Sequence, residues 1–157
     1  MLAEWWALWS TCSKGSVGAV VVDEDFQVLA SGFNGAPRGI KHCQDQDEPL
    51  VDADGHCLYC IHAEMNCGHQ AARTGVSLRG GTLFTLTRPC IRCAMNMVQW
   101  GLDSVFYRDL YLGDPFHDRA IWLLRHSGVR VSRLEVTPAM AAHILSLDNL
   151  KNQTWKF

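Results

Sequence analysis

The chain reads as one α/β domain, a three-layer sandwich in which a mixed five-stranded sheet lies between helices. Three observations predict this. Strand-like and helix-like segments alternate along the whole chain. The first two strand runs are joined by the short acidic turn Asp23-Glu24-Asp25, as in a hairpin, and the later strands are separated by helical segments, as in a parallel sheet. At 157 residues the chain is the size of a single domain, here residues 1–157, with room for a proper core.

Leu2, Trp5, Trp6 and Trp9 recur at helical spacing, so residues 2–12 are expected to form an amphipathic helix with its indoles turned to the core or to another subunit. Residues 17–22 predict a buried strand and residues 26–33 its hairpin partner. Residues 34–61 are rich in Gly, Pro, Asp, Cys and His, and so long a loop in a compact domain is usually functional. A helix is expected over 62–74 with Gly75 as its C-cap, a strand over 82–87, and a helix over 91–100 closed by Gly101. Residues 104–107 predict a strand, 117–126 a helix and 129–131 a final strand. Pro138 opens a last helix to about residue 147, followed by a polar tail whose apolar residues are Leu150, Trp155 and Phe157.

A net charge of −2 argues against a broad basic surface for nucleic acid, but leaves room for a small phosphorylated substrate. Residues 1–10 are apolar yet contain Glu4, lack a basic leader and are too short to span a bilayer. The expectation is therefore no export signal, no membrane segment and a cytoplasmic protein. Seven cysteines, four of them in two C-x-x-C pairs with histidines nearby, then favour metal binding over disulfides. Cys67, on the predicted helix 62–74, is expected to be a small buried hydrophobe.

The chemistry is concentrated in His62-Ala63-Glu64 and Pro89-Cys90-Ile91-Arg92-Cys93. One imidazole and two thiolates, from His62, Cys90 and Cys93, fill three positions of tetrahedral Zn²⁺ and leave the fourth for water. Both motifs fall at helix starts, whose partial positive charge favours thiolate over thiol. Glu64 is not needed as a ligand and is placed to carry protons to and from that water. The order H-x-E…P-C-x-x-C resembles the signature of zinc nucleobase deaminases.

The surrounding residues narrow the resemblance. Gly32-Phe33-Asn34-Gly35-Ala36-Pro37-Arg38-Gly39, followed by His42-Cys43, is similar to the G-Y-N-G-x-P-x-G…C stretch of deoxycytidylate (dCMP) deaminases. Cys12-Ser13-Lys14 before Val17-Gly18-Ala19-Val20 fits the same family. So do Gly55-His56-Cys57 before His62-Ala63-Glu64-Met65-Asn66, and Tyr107…Asp109…Tyr111. The resemblance covers about residues 10–112 and is greatest to bacterial and phage-type enzymes. It implies the cytidine-deaminase-like fold and hydrolysis of dCMP to dUMP, which feeds thymidylate synthesis. It also implies a homo-oligomer, commonly a hexamer, activated by dCTP and inhibited by dTTP, with Mg²⁺ accompanying the effector triphosphate. The location would be the cytoplasm, or the host cytoplasm for a phage protein.

By matching position, Asn34 would hydrogen-bond the deoxyribose hydroxyl, Ala63 would line the substrate pocket, and Tyr111 would lie by the base or phosphate. Lys14 is the candidate for the 5′-phosphate, from its charge and position. Gly35, Arg38, Gly39, Asn66 and Arg73 are candidates for the effector nucleotide. The resemblance further implies a second, structural zinc, on Cys12, Cys43, His56 and Cys57, with Cys60 as an alternative ligand; this would clamp the long loop to the first helix. Phe33 replaces the family's usual tyrosine, keeping the ring without the hydroxyl. Two other readings remain: a deaminase of cytidine, dCTP, guanine or tRNA adenosine, and a non-catalytic module in which Cys57-x-x-Cys60 and Cys90-x-x-Cys93 close one Cys₄ site.

Overall fold

The computed structural model describes residues 2–46, 51–53, 55, 57–110, 116–135 and 137, with His117 as backbone alone. Helix α1 (Leu2–Ala7) precedes strands β1 (Gly18–Val22) and β2 (Val28–Phe33). Then come α2 (Ala63–Thr74), β3 (Thr82–Thr87), α3 (Ile91–Trp100), β4 (Ser104–Asp109), α4 (His117–His126) and β5 (Arg130–Arg133). This is the expected order. The helix expected over 138–147 and the tail beyond it lie outside the described residues.

The strands form one sheet in the order β2-β1-β3-β4-β5. A tight turn lets β1 pair antiparallel with β2, and β1 pairs antiparallel with β3 as well. The helical crossovers α3 and α4 make β3, β4 and β5 parallel. Side chains alternate across the sheet. Ala19, Val21, Leu83, Val105 and Val131 join buried residues of α2, α3 and α4 in the main core, whereas Val20, Val22 and Leu86 meet Ala3 and Ala7 of α1 in a second cluster. The three layers are those the sequence predicts. Among the described residues no helix is long and apolar enough to cross a membrane.

Two expectations are corrected near the start of the chain. Regular helix ends at Ala7 instead of residue 12, because the chain tightens and the Ser10 N–H donates to the Ala7 carbonyl at 3.0 Å. The indoles do not face the core: Trp5 is 62% and Trp9 68% exposed. Only Trp6 is half-buried, stacked on Phe33 with ring centroids 6.3 Å apart. Small residues carry the packing instead. Ala3 and Ala7 lie over Gly18, where any Cβ would collide with the Ala3 carbonyl oxygen. In the hairpin, Phe26 belongs to the turn, with φ 60°. Asp23 Oδ1 accepts from the N–H groups of Asp25 and Gln27 and bends the chain there, so β2 starts at Val28.

The start of α2 is fixed against the end of β2. A Cβ at Gly32 would strike the Ala63 carbonyl oxygen, so only glycine allows this approach. Asn66 Nδ2 then donates to the Phe33 carbonyl at 2.7 Å. At the far ends of α2 and α3, Gly75 (φ 74°) and Gly101 (φ 72°) are the expected left-handed C-caps.

Candidate active site

His62 is the N-cap of α2 and Cys90 the N-cap of α3, both with extended backbone, and neither side chain caps its own helix. Their side chains are thus directed at each other across the two helix starts. Cys90 Sγ and Cys93 Sγ lie 3.5 and 3.4 Å from His62 Nδ1. His62 is exposed, Cys90 half-buried and Cys93 buried, and their ligand atoms all fall within 4.8 Å of one another. The metal donors expected from the sequence do converge, and between two helix N-termini as expected.

Electrostatics ties these groups together. A hydrogen bond from Cys93 pulls the Cys90 thiol down to about 4. The same bond, with burial, pushes Cys93 well above its ordinary value. The hydrogen bond with Cys90 raises His62 to about 9. Glu64 follows His62 by two residues and is only 3% exposed. Burial raises its carboxyl above the ordinary range, while the charge on His62 and a hydrogen bond from Cys93 oppose the rise. A buried carboxyl hydrogen-bonded to one member of a His–Cys–Cys group has the surroundings that suit a proton carrier.

The other cysteines behave differently. All seven are free thiols, and Cys67 is buried against the Ala19 carbonyl, as expected. Cys43 and Cys57 lie with their sulfurs 3.2 Å apart, and Cys60 hydrogen-bonds Cys12. Burial and the neighbouring Cys57 push Cys43 up to about 11. His56 lies outside the described residues. The described loop thiols form two pairs, and among the described residues only His62, Cys90 and Cys93 bring three such donor atoms within 4.8 Å of one another. Cys57 and Cys60 therefore belong with Cys43 and Cys12, not with Cys90 and Cys93, and the single Cys₄ site is ruled out.

Asn34 follows β2 directly and is 7% exposed. Its Oδ1 accepts from Ser10 Oγ (2.7 Å) and the Val17 N–H (2.8 Å), and its Nδ2 donates to the Gly15 carbonyl (2.8 Å). Ala63 is fully buried at the first position of α2, whereas Lys14 is exposed on the loop that Asn34 ties down. Tyr111 lies outside the described residues. Of the effector candidates, Gly35 pairs with Ile61, Arg38 is exposed, Gly39 has φ 84°, and Asn66 holds Phe33. Arg73 is in the last turn of α2, at the opposite end of the helix from His62.

Two features of this region carry no local signature in the sequence. Ser10 reaches Asn34 across 24 positions, a pairing that only the folded chain reveals. Arg88, just before Pro89, has a side chain only 9% exposed, with a charge contact to Asp118 at 3.6 Å and no partner on Nε. The excess of a cation beside a proline gave no hint of that burial.

Comparison with known proteins agrees with this geometry. Residues 2–108 match the model of the cytidine and deoxycytidylate deaminase zinc-binding region. ComE operon protein 2 of Bacillus subtilis is 36% identical over 130 residues, covering 83% of this chain and 66% of that protein. Deoxycytidylate deaminase of Saccharomyces cerevisiae is 34% identical over 132 residues, covering 82% of this chain but 41% of that one. The chain thus spans two thirds or less of the length of these two relatives. Among solved structures, the dCMP deaminase of cyanophage S-TIM5 in complex with dCMP and dUMP superposes with a TM-score of 0.72 at 32% identity, covering 85% of this chain and 91% of that one. On its matched motifs, its fold and its His–Cys–Cys group, this chain belongs to the cytidine and deoxycytidylate deaminases, a zinc-binding family.

Proposed function

We propose that the chain hydrolyses dCMP to dUMP and ammonia, and so supplies dUMP for thymidylate synthesis. The observation that carries the reading is buried Glu64 hydrogen-bonded to a His–Cys–Cys group between two helix N-termini. Two thiols and an imidazole are a donor set suited to zinc, and His62, Cys90 and Cys93 would hold it. The bound ion would act as a Lewis acid that makes water nucleophilic at neutral pH. Glu64 takes one proton from the attacking water and gives it to the ring nitrogen of cytosine. It then takes the proton of the newly formed carbon-bound hydroxyl and gives it to the amino group, which leaves as ammonia. Water adds at the amidine carbon, the C–N bond breaks, and a carbonyl remains.

The choice of dCMP rests on the Asn34 loop and on the names of the relatives. Asn34 would meet the sugar hydroxyl, Ala63 the base, and Lys14 and Tyr111 the phosphate side. A structural zinc on Cys12, Cys43, Cys57 and Cys60, with His56 as a further candidate ligand, is part of the same reading and rests on the two thiol pairs, Cys43 with Cys57 and Cys12 with Cys60. Assembly into a homohexamer is part of the same reading, supported by exposed Trp5, Leu8 and Trp9. So are a cytoplasmic location and control by dCTP and dTTP, with Mg²⁺, through Gly35, Arg38, Gly39, Asn66 and Arg73.

A panel of cytidine, deoxycytidine, dCMP, dCTP and guanine, with and without effectors, tests the substrate. Turnover of dCMP should exceed that of every other member, and preference for a nucleoside sinks the assignment. Glu64→Ala should keep its zinc yet lose about a hundredfold or more in turnover. Deamination by that variant at the parent rate would remove Glu64 from the reaction.

A further inference from the structure

The hydrogen bonds around Asn34 fix more than its position. A backbone N–H can only donate, so the amide atom 2.8 Å from the Val17 nitrogen must be Oδ1. The other amide atom, facing the Gly15 carbonyl at 2.8 Å, must then be Nδ2. Val17 N–H occupies one acceptor position of Oδ1, and Ser10 Oγ, at 2.7 Å, occupies the second. Asn34 keeps one unassigned polar contact, the second Nδ2 hydrogen. It therefore meets any ligand as a donor.

Ser10 completes this arrangement. Its hydroxyl accepts from the Cys12 N–H at 3.3 Å. It gives its one proton to the nearest acceptor, Asn34 Oδ1 at 2.7 Å, in preference to the Asn34 carbonyl at 3.1 Å and the Gly15 carbonyl at 3.5 Å. The Thr11 N–H donates to the Asn34 carbonyl, and the Thr11 carbonyl accepts from the Gln44 N–H, each at 3.3 Å. Residues 10–12 are thus stitched to Asn34 on one side and to the segment of Cys43 on the other. We infer that Ser10 is a positioning residue for the substrate: its hydroxyl saturates Oδ1 and holds the Asn34 amide so that the remaining N–H is presented to the oxygen of the deoxyribose 3′-hydroxyl. This rests on the proposed contact between Asn34 and the deoxyribose.

The test uses zinc-loaded full-length protein and two readouts, the dissociation constant of dUMP and the steady-state constants for dCMP. Ser10→Ala should weaken dUMP binding and raise KM about three- to tenfold, with a smaller fall in kcat. Ser10→Thr, which keeps the hydroxyl, should restore most of the loss. In an Asn34→Ala background, Ser10→Ala should weaken dUMP no further. The Ser10→Ala loss should also vanish with 2′,3′-dideoxycytidine monophosphate, which lacks the sugar hydroxyl. Equal losses in the parent and Asn34→Ala backgrounds, or an equal loss with the dideoxy substrate, would overturn the assignment and make Ser10 a structural residue only. If Asn34→Ala binds dUMP as tightly as the parent, the proposal falls because Asn34 does not touch the nucleotide. Failure of the parent to deaminate dCMP would instead break the functional reading, and the dUMP measurements would still decide the role of Ser10.

Discussion

His62, Cys90 and Cys93 stand on the first turns of α2 and α3, two helices packed into the main core, whereas Cys12, Cys43, Cys57 and Cys60 stand on loop segments. In the first group the helices place the donors, and burial of Cys93 and Ala94 fixes the start of α3 in the core. In the second, the described residues of 34–61 have only a three-residue 3₁₀ turn and two isolated bridges, Gly35 with Ile61 and Val51 with Cys57. An ion bound to the second group would close a long loop and so act mainly on folding, while an ion in the first acts on chemistry.

Removing a donor from each group should separate the two roles. His62→Ala is expected to lower dCMP turnover about a thousandfold or more, through loss of several kcal/mol of metal-dependent stabilisation. The thermal midpoint should move little, because His62 is exposed and provides no cap hydrogen bond. Zinc analysis and steady-state turnover check this, and turnover above a tenth of the parent's would break the assignment. Cys43→Ser should do the reverse. If the second ion is held at about 100 times its dissociation constant, its loss removes roughly 2.7 kcal/mol. For a chain of this size that lowers the midpoint by about 5–10 °C. Bound zinc should fall from two ions to one, and turnover only about tenfold. An unchanged midpoint would show that the thiol cluster holds no structural ion.

Proton release gives a quieter contrast. In the ion-free first group His62 is raised to about 9 and Cys93 well above its ordinary value, while Cys90 is lowered to about 4. At pH 7–8, zinc must displace one proton from His62 and one from Cys93, and none from Cys90. A raised ligand pKa means protons compete better, so affinity should fall as pH falls below 9, by about a hundredfold per unit while two protons are displaced. Calorimetry in buffers of different ionisation enthalpy, on the Cys43→Ser protein, counts these protons. Release of one or fewer would show that His62 or the Cys90–Cys93 pair is already deprotonated in the ion-free protein.

The same division explains what could be read from the sequence. His62-Ala63-Glu64 and Pro89-Cys90…Cys93 were legible because each motif is local and helix geometry converts its spacing directly into position. Gly75 and Gly101 were legible because a left-handed cap leaves few alternatives to glycine. In the first helix the three tryptophans at helical spacing do not supply the core contact, because the close approach at Gly18 requires the small pair Ala3 and Ala7 there. Cys60 stayed an alternative ligand because pairing within a loop depends on tertiary closure, and spacing says nothing about it. The network of Ser10 and Asn34 was out of reach for the same reason.

A smaller version of the contrast runs along α2, whose start touches the site while its end faces solvent. Asn66 and Arg73 are both effector candidates, yet Asn66 already donates to the Phe33 carbonyl at 2.7 Å and Arg73 is exposed. Asn66→Ala should therefore cost about 1 kcal/mol in the absence of any nucleotide, by releasing the end of β2 from α2. Arg73→Gln should change stability by no more than about 0.5 kcal/mol, since it alters an exposed helix end. If dCTP acts at Arg73, this variant should need more dCTP for half-activation without a shift in its nucleotide-free midpoint. Denaturant titration and a dCTP activation curve, run on both variants, distinguish the two. Loss of dCTP response in Asn66→Ala at unchanged stability would mean that its amide reads the nucleotide, and that the bond to Phe33 is only its resting partner.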